Sequence, residues 1–123
     1  MPIIEFMSNS KAPPRGFLRH LCSDVALALG LPKDNVWAIW HEVKVKSCRV
    51  PHWGLKNNCA PIITVRCRST YSKMQIRGMI HLIASIVSKK LGVEYNKVFV
   101  SVSRVMPDHL LVRGKIWQNK NRK

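Results

Sequence analysis

Among the side chains and termini of this sequence, the second residue has the most distinctive chemistry. Removal of an initiator methionine before a small residue would leave Pro2 with a free secondary amine on a rigid ring. An α-amino group titrates closer to neutrality than a lysine, so it can take and return a proton at pH 7. Ile3 and Ile4 follow it. A partly apolar pocket would disfavour its charged form, and neighbouring cations would push in the same direction. A base of this kind removes a proton α to a carbonyl and redelivers it elsewhere, which is keto–enol tautomerism or double-bond migration. A Met-Pro start is common, so the elements around Pro2 decide whether that chemistry is available.

Other chemistries have less material. The four cysteines, Cys22, Cys48, Cys59 and Cys67, form no CxxC pair, and Cys48, His52 and Cys59 fit no zinc-ligand spacing. Free thiols in a reducing compartment are expected, with no metal and no cofactor. Only 6 acids face 21 Lys and Arg, a formal charge of +15, so paired-carboxylate chemistry is poorly supplied. The excess charge attracts anions of every size and names no partner alone. Part of it is expected in a solvated tail (Lys115, Lys120, Arg122, Lys123), part in a central loop (Lys44, Lys46, Arg49, Lys56).

The 123 residues fit one domain, and a hydrophobic content of 46% is ordinary for a globular protein. No apolar run approaches the roughly 18 residues of a membrane span. Glu5, Lys11, Arg15 and Arg19 interrupt any signal-peptide pattern. A cytoplasmic location is the expectation.

An internal repeat supplies the positioning elements. Pro2-Ile3-Ile4-Glu5-Phe6 returns as Pro61-Ile62-Ile63-Thr64-Val65, and Leu29-Gly30-Leu31 with Val36 returns as Leu91-Gly92-Val93 with Val98. Each copy reads as strand, helix, strand. In the first, residues 2–7 are a short apolar strand. Helical spacing of Phe17, Leu18, Leu21, Cys22, Val25 and Leu29 predicts a helix over 15–29, and 36–43 has strand composition. The second copy gives a strand at 62–67, a helix at 73–90 capped by Ser72 or Thr70, and an alternating strand at 98–105. A polar, basic linker spans about 44–60. The predicted fold is thus α/β (α+β): one domain, 1–123, of two β-α-β repeats (about 2–43 and 61–105). They form a four-stranded sheet with two helices on one face. The other sheet face is apolar and calls for cover by symmetric oligomerisation.

The MPII start, the duplicated β-α-β pattern, the His52-Trp53-Gly54-Leu55 run and the Met106-Pro107 after the last long strand together resemble the tautomerase superfamily over roughly residues 2–117. That group includes the 4-oxalocrotonate tautomerases, 5-carboxymethyl-2-hydroxymuconate isomerase, the haloacrylate dehalogenases and macrophage migration inhibitory factor. Chain length resembles the fused, two-copy type, which implies a homotrimer. The resemblance implies a tautomerase or isomerase acting on a small anionic keto or enol acid, with Pro2 as general base and acid. It implies carboxylate binding by arginines after the strands. The GRS-type turn of relatives looks closest to Arg68-Ser69, making Arg68 the first choice, with Lys73 and Lys11 also candidates. Pocket walls would come from Trp37, Phe99, Ser101 and Trp53. Two departures narrow the chemistry. Trp37 stands where a 4-oxalocrotonate tautomerase carries an arginine, which weakens the case for a dicarboxylate substrate. Hydrolytic dehalogenation lacks its tyrosine near Ser101 and its glutamate near Arg113. Two alternatives compete: a basic module binding nucleic acid by stacking on an open sheet, although no RNP-like signature or GxxG loop is present, and a protein that keeps the fold without the catalysis.

Overall fold

The computed structural model describes residues 2–50, 53 and 60–118. Apolar alternation builds the sheet. In β1 (Ile3–Ser8), Ile4, Phe6 and Ser8 are buried while Ile3, Glu5 and Met7 face the other way; β3 (Ile62–Arg68) repeats this with Ile63, Val65 and Cys67. With β2 (Trp37–Glu42) and β4 (Phe99–Val105) they form a four-stranded mixed sheet in the order β2-β1-β3-β4. Each repeat pairs its own strands in parallel, β1 with β2 and β3 with β4, and the two repeats meet antiparallel along β1 and β3.

Helices α1 (Phe17–Leu29) and α2 (Lys73–Leu91) cover one face. Phe17, Leu21 and Val25 from α1 and Met79, Ile83 and Val87 from α2 meet the inward side chains of β1 and β3 in one core. Phe6 stacks on Trp40 at 5.5 Å between ring centroids, and Phe17 packs edge-on against both. Ser72 caps α2 as expected. Its hydroxyl accepts from the Gln75 N–H and the Gln75 side chain accepts from the Ser72 N–H, a reciprocal capping box. The repeated Leu-Gly is a helix stop: Gly30 and Gly92 end the helices at φ of 68° and 66°, a left-handed conformation that disfavours a Cβ.

Register settles which aromatics face out. Ile3 pairs with Trp37 and Ile62 with Phe99, so Trp37 and Phe99 lie on the helix-free face at 48% and 57% exposure, while Trp40 and Val100 turn inward. Three expectations needed correction. Arg68 is the last residue of β3 rather than following it. Lys115 belongs to a hairpin, not a tail: β5 (Leu111–Val112) and β6 (Lys115–Ile116) are joined by Arg113 and Gly114, both at positive φ as a two-residue turn requires. Within the linker, Val45–Ser47 form a single 3-10 turn. Lys56, Lys120, Arg122, Lys123 and, of the His-Trp-Gly-Leu run, all but Trp53 lie outside the described residues. No helix among the described residues is long and apolar enough to cross a membrane.

Candidate active site

Antiparallel pairing of the repeats decides which residues can meet. Ile3 lies opposite Arg66, and continuing that register sets Pro2 beside Cys67, one residue from Arg68. The same end of the sheet carries the start of β2, the end of β4 and the start of α2. Pro2, Trp37, Arg68 and Lys73 therefore share one end of the chain.

Pro2 is fully buried, and its carbonyl accepts from the Trp37 N–H at 3.1 Å. Trp37 is fixed further by its indole N–H, which donates to the Asp34 carbonyl at 3.0 Å. A hollow of about 310 Å³ opens at this end, lined by Asn35, Arg68, Thr70, Tyr71 and Arg113 among others. Pro2 does not line this hollow; the strand register places it one residue from Arg68, which does. The guanidinium of Arg68 lies over the Trp117 ring, 5.0 Å from its centroid. Its Nε is buried with no hydrogen-bond partner among the described residues. Trp117 is held by the hairpin: its N–H donates to Leu110 and its carbonyl accepts from Asp108. Lys73 is exposed at the start of α2.

Burial raises the Tyr71 phenol above its usual range; the nearby Cys67 adds to this and Arg68 opposes it. Burial likewise raises the Cys67 thiol. Both groups are neutral at pH 7. The hollow thus offers two permanent cations, Arg68 and Arg113, with a phenol, a hydroxyl and an amide as neutral hydrogen-bonding groups, a set suited to a carboxylate plus an adjacent carbonyl.

Of the remaining predicted residues, Lys11, Trp53 and Phe99 sit at the opposite end and Ser101 in mid-sheet. Lys11 follows β1 and is exposed. Trp53 is buried and donates its indole N–H to the Ala60 carbonyl at 2.7 Å. With Phe99, Pro61 and Lys97 it lines a separate hollow of about 210 Å³ at the start of β3. Ser101 pairs with Thr64 in mid-sheet and is exposed on the helix-free face. Within one chain, then, Lys11, Trp53, Phe99 and Ser101 do not join Pro2. The repeat explains this: Pro61 is the internal counterpart of Pro2, and the second-copy residues surround that counterpart.

Sequence reasoning did not single out Tyr71, Asn35, Arg113 or Trp117 as site residues. The available signal was the Arg113-Gly114 turn between Leu111-Val112 and Lys115-Ile116, which predicts a hairpin but not its return over the end of β3. A further polar group lies on the helix-free face: Glu5 accepts from Arg66 at 2.5 Å and lies 3.1 Å from His41 Nε2. No three His, Cys, Asp or Glu side chains among the described residues are grouped to hold a metal ion.

No family model matches the chain, and no curated protein matches its sequence. Solved structures do match its fold. A native fused 4-OT superposes with a TM-score of 0.80 at 13% identity, over 93% of this chain and 94% of that one. Pt0534 inactivated by 2-oxo-3-pentynoate gives 0.81 at 14% identity, over 98% and 99%. Macrophage migration inhibitory factor from Oncomelania hupensis gives 0.76 at 18% identity, over 96% of this chain and 83% of that one. At these identities the likeness concerns architecture, and the chain has the tautomerase-superfamily fold.

Proposed function

We propose that this protein is a tautomerase or isomerase in which the amine of Pro2, freed by removal of Met1, moves a proton on a small anionic keto or enol acid. The observation that carries the reading is the juxtaposition, at one end of this fold, of Pro2 with Arg68 and a hollow holding a second arginine. Arg68 and Arg113 would bind the substrate carboxylate and offset the charge of the enolate. The Pro2 nitrogen would take the α-proton and return it at the oxygen or at a conjugated carbon. The apolar core around Pro2 favours the neutral amine, the form able to accept a proton.

Assembly would complete the site. One fused 4-OT forms an asymmetric trimer, and this chain leaves Trp37, Ile39 and Phe99 exposed on its helix-free face. In a homotrimer, Phe99, Ser101 and Trp53 of a neighbouring copy would wall the Pro2 end that one chain leaves open. The test is phenylpyruvate tautomerisation by the wild type and Pro2→Ala. General acid–base catalysis is worth roughly 10²–10⁴-fold, so the variant should lose at least about 10²-fold. Equal rates would remove the proposal in favour of a protein that keeps the fold without the catalysis.

A further inference from the structure

We propose that the end of the molecule opposite Pro2 is a docking surface for the phosphate backbone of nucleic acid. The argument rests on where the topology gathers charge. The β1–α1 connection and the first turn of α1 bring Lys11, Arg15 and Arg19 to this end. Helix α2 runs back to the same place and ends in Lys89 and Lys90. A shared cavity of about 320 Å³, lined by Ser10, Pro13, Pro14, Trp40 and Lys90, joins the two segments. The chain leaving β2 adds Lys44, Lys46 and Arg49: Val43 donates to the Ser8 carbonyl, and Val50 lies against Pro61 and Lys97.

All eight of these cations are exposed, and none forms an ion pair among the described residues. Two acids share this end. Glu94 is already engaged by Lys97 at 3.8 Å, leaving Glu42 alone against eight positive charges. The 19 residues of α2 separate this cluster from the Pro2 end by about 28 Å at 1.5 Å per residue. That span is several Debye lengths at physiological salt. Within one chain the two ends are therefore electrostatically distinct.

Neighbouring groups favour a nucleic-acid backbone over a lipid surface. Membrane docking combines cations with apolar side chains that insert between headgroups. Here Trp40 is stacked on Phe6 and donates its indole N–H to Ser10, Tyr95 is hydrogen-bonded to His81, and Phe99 is exposed on the helix-free face that the proposed trimer buries, so none is free to insert. With Trp40 and Tyr95 engaged and Phe99 assigned above to the contact with a neighbouring copy, recognition would be electrostatic and independent of sequence.

Fluorescence anisotropy with a labelled 20-base-pair duplex tests this. Engaging about five phosphates gives a logarithmic salt slope near −4.5, a loss on the order of 500-fold between 50 and 200 mM salt. Two triple variants carry equal charge loss: Arg15→Gln, Arg19→Gln and Lys90→Gln at the docking end, and Lys33→Gln, Arg77→Gln and Lys115→Gln elsewhere. All six positions are exposed, and circular dichroism checks each fold. The first triple should weaken binding by at least about tenfold and flatten the slope by nearly three; the second should change affinity less than about threefold. Equal weakening by both would reduce the effect to net charge and overturn the proposal. So would absence of duplex binding at 100 mM salt, or capture by phosphatidylserine-containing vesicles without duplex binding.

Discussion

Arg68 concentrates the residue-scale physics of the proposed site. Its Nε is buried without a partner, and its guanidinium is stacked on Trp117. Stacking leaves the edge of the guanidinium available for a carboxylate. A hydrogen bond to a charged group is worth about 1.5–3 kcal/mol. Arg68→Ala should therefore lower kcat/KM for phenylpyruvate roughly 10–150-fold, with Arg68→Lys recovering only part of the loss. An unchanged kcat/KM would move the anion site elsewhere. The raised thiol and phenol of Cys67 and Tyr71 make a second prediction. As pH rises through their ordinary ranges, roughly 8.5–10, the unfolded chain releases these protons before the folded one does. Stability therefore falls with rising pH. The urea midpoint should drop between pH 8 and pH 10, and Cys67→Ala with Tyr71→Phe should shrink that drop. An identical drop in the double variant would assign it to other groups. At this scale Pro2 and Arg68 were legible because each carries a local signal. Tyr71 and Arg113 were not: the Arg113-Gly114 turn marks a hairpin, but nothing beside it says that this hairpin, well beyond the end of α2, returns over β3.

The elements were legible where periodicity and punctuation agreed. Alternation in Ile62–Arg68, the Ser72 cap and the Gly30 and Gly92 stops all describe their own segments, and the boundaries moved by only a residue or two. The β5–β6 hairpin was missed because strands of two residues carry no periodicity to read. Two substitutions probe these devices. Ser72→Ala removes half of the capping box and should cost about 1 kcal/mol, a few degrees in Tm for a domain of this size. Ser72→Asp, which can still accept from Gln75, should retain most of that stability. Gly92→Ala places a Cβ at φ 66° in otherwise open space, so backbone strain alone should cost about 1 kcal/mol. Both effects are read as shifts in the thermal midpoint. No shift in either would mean that the helix ends contribute little to cooperative folding.

At the scale of the whole molecule, the antiparallel junction of two like halves has a consequence the repeat alone did not announce. It sends Pro2 and its counterpart Pro61 to opposite ends, dividing the predicted pocket between two places. A neighbouring copy is the proposed remedy, and the helix-free face gives it something to bury. Glu5 bridges His41 and Arg66 on that face between apolar rows. As an exposed cluster it is worth under about 1 kcal/mol. Ile39→Asp with Phe99→Asp should convert an oligomer to monomers in analytical ultracentrifugation and abolish activity; a monomeric wild type would contradict this arrangement. The central claim concerns a single nitrogen. A ynone acid such as 2-oxo-3-pentynoate, which inactivates Pt0534, reacts with a neutral amine, so it should report directly on Pro2. Intact-mass and peptide mass spectrometry of the native protein after this treatment should find Met1 absent and one adduct per chain on the Pro2 nitrogen. A retained Met1, or labelling confined to cysteines and lysines, would contradict the account.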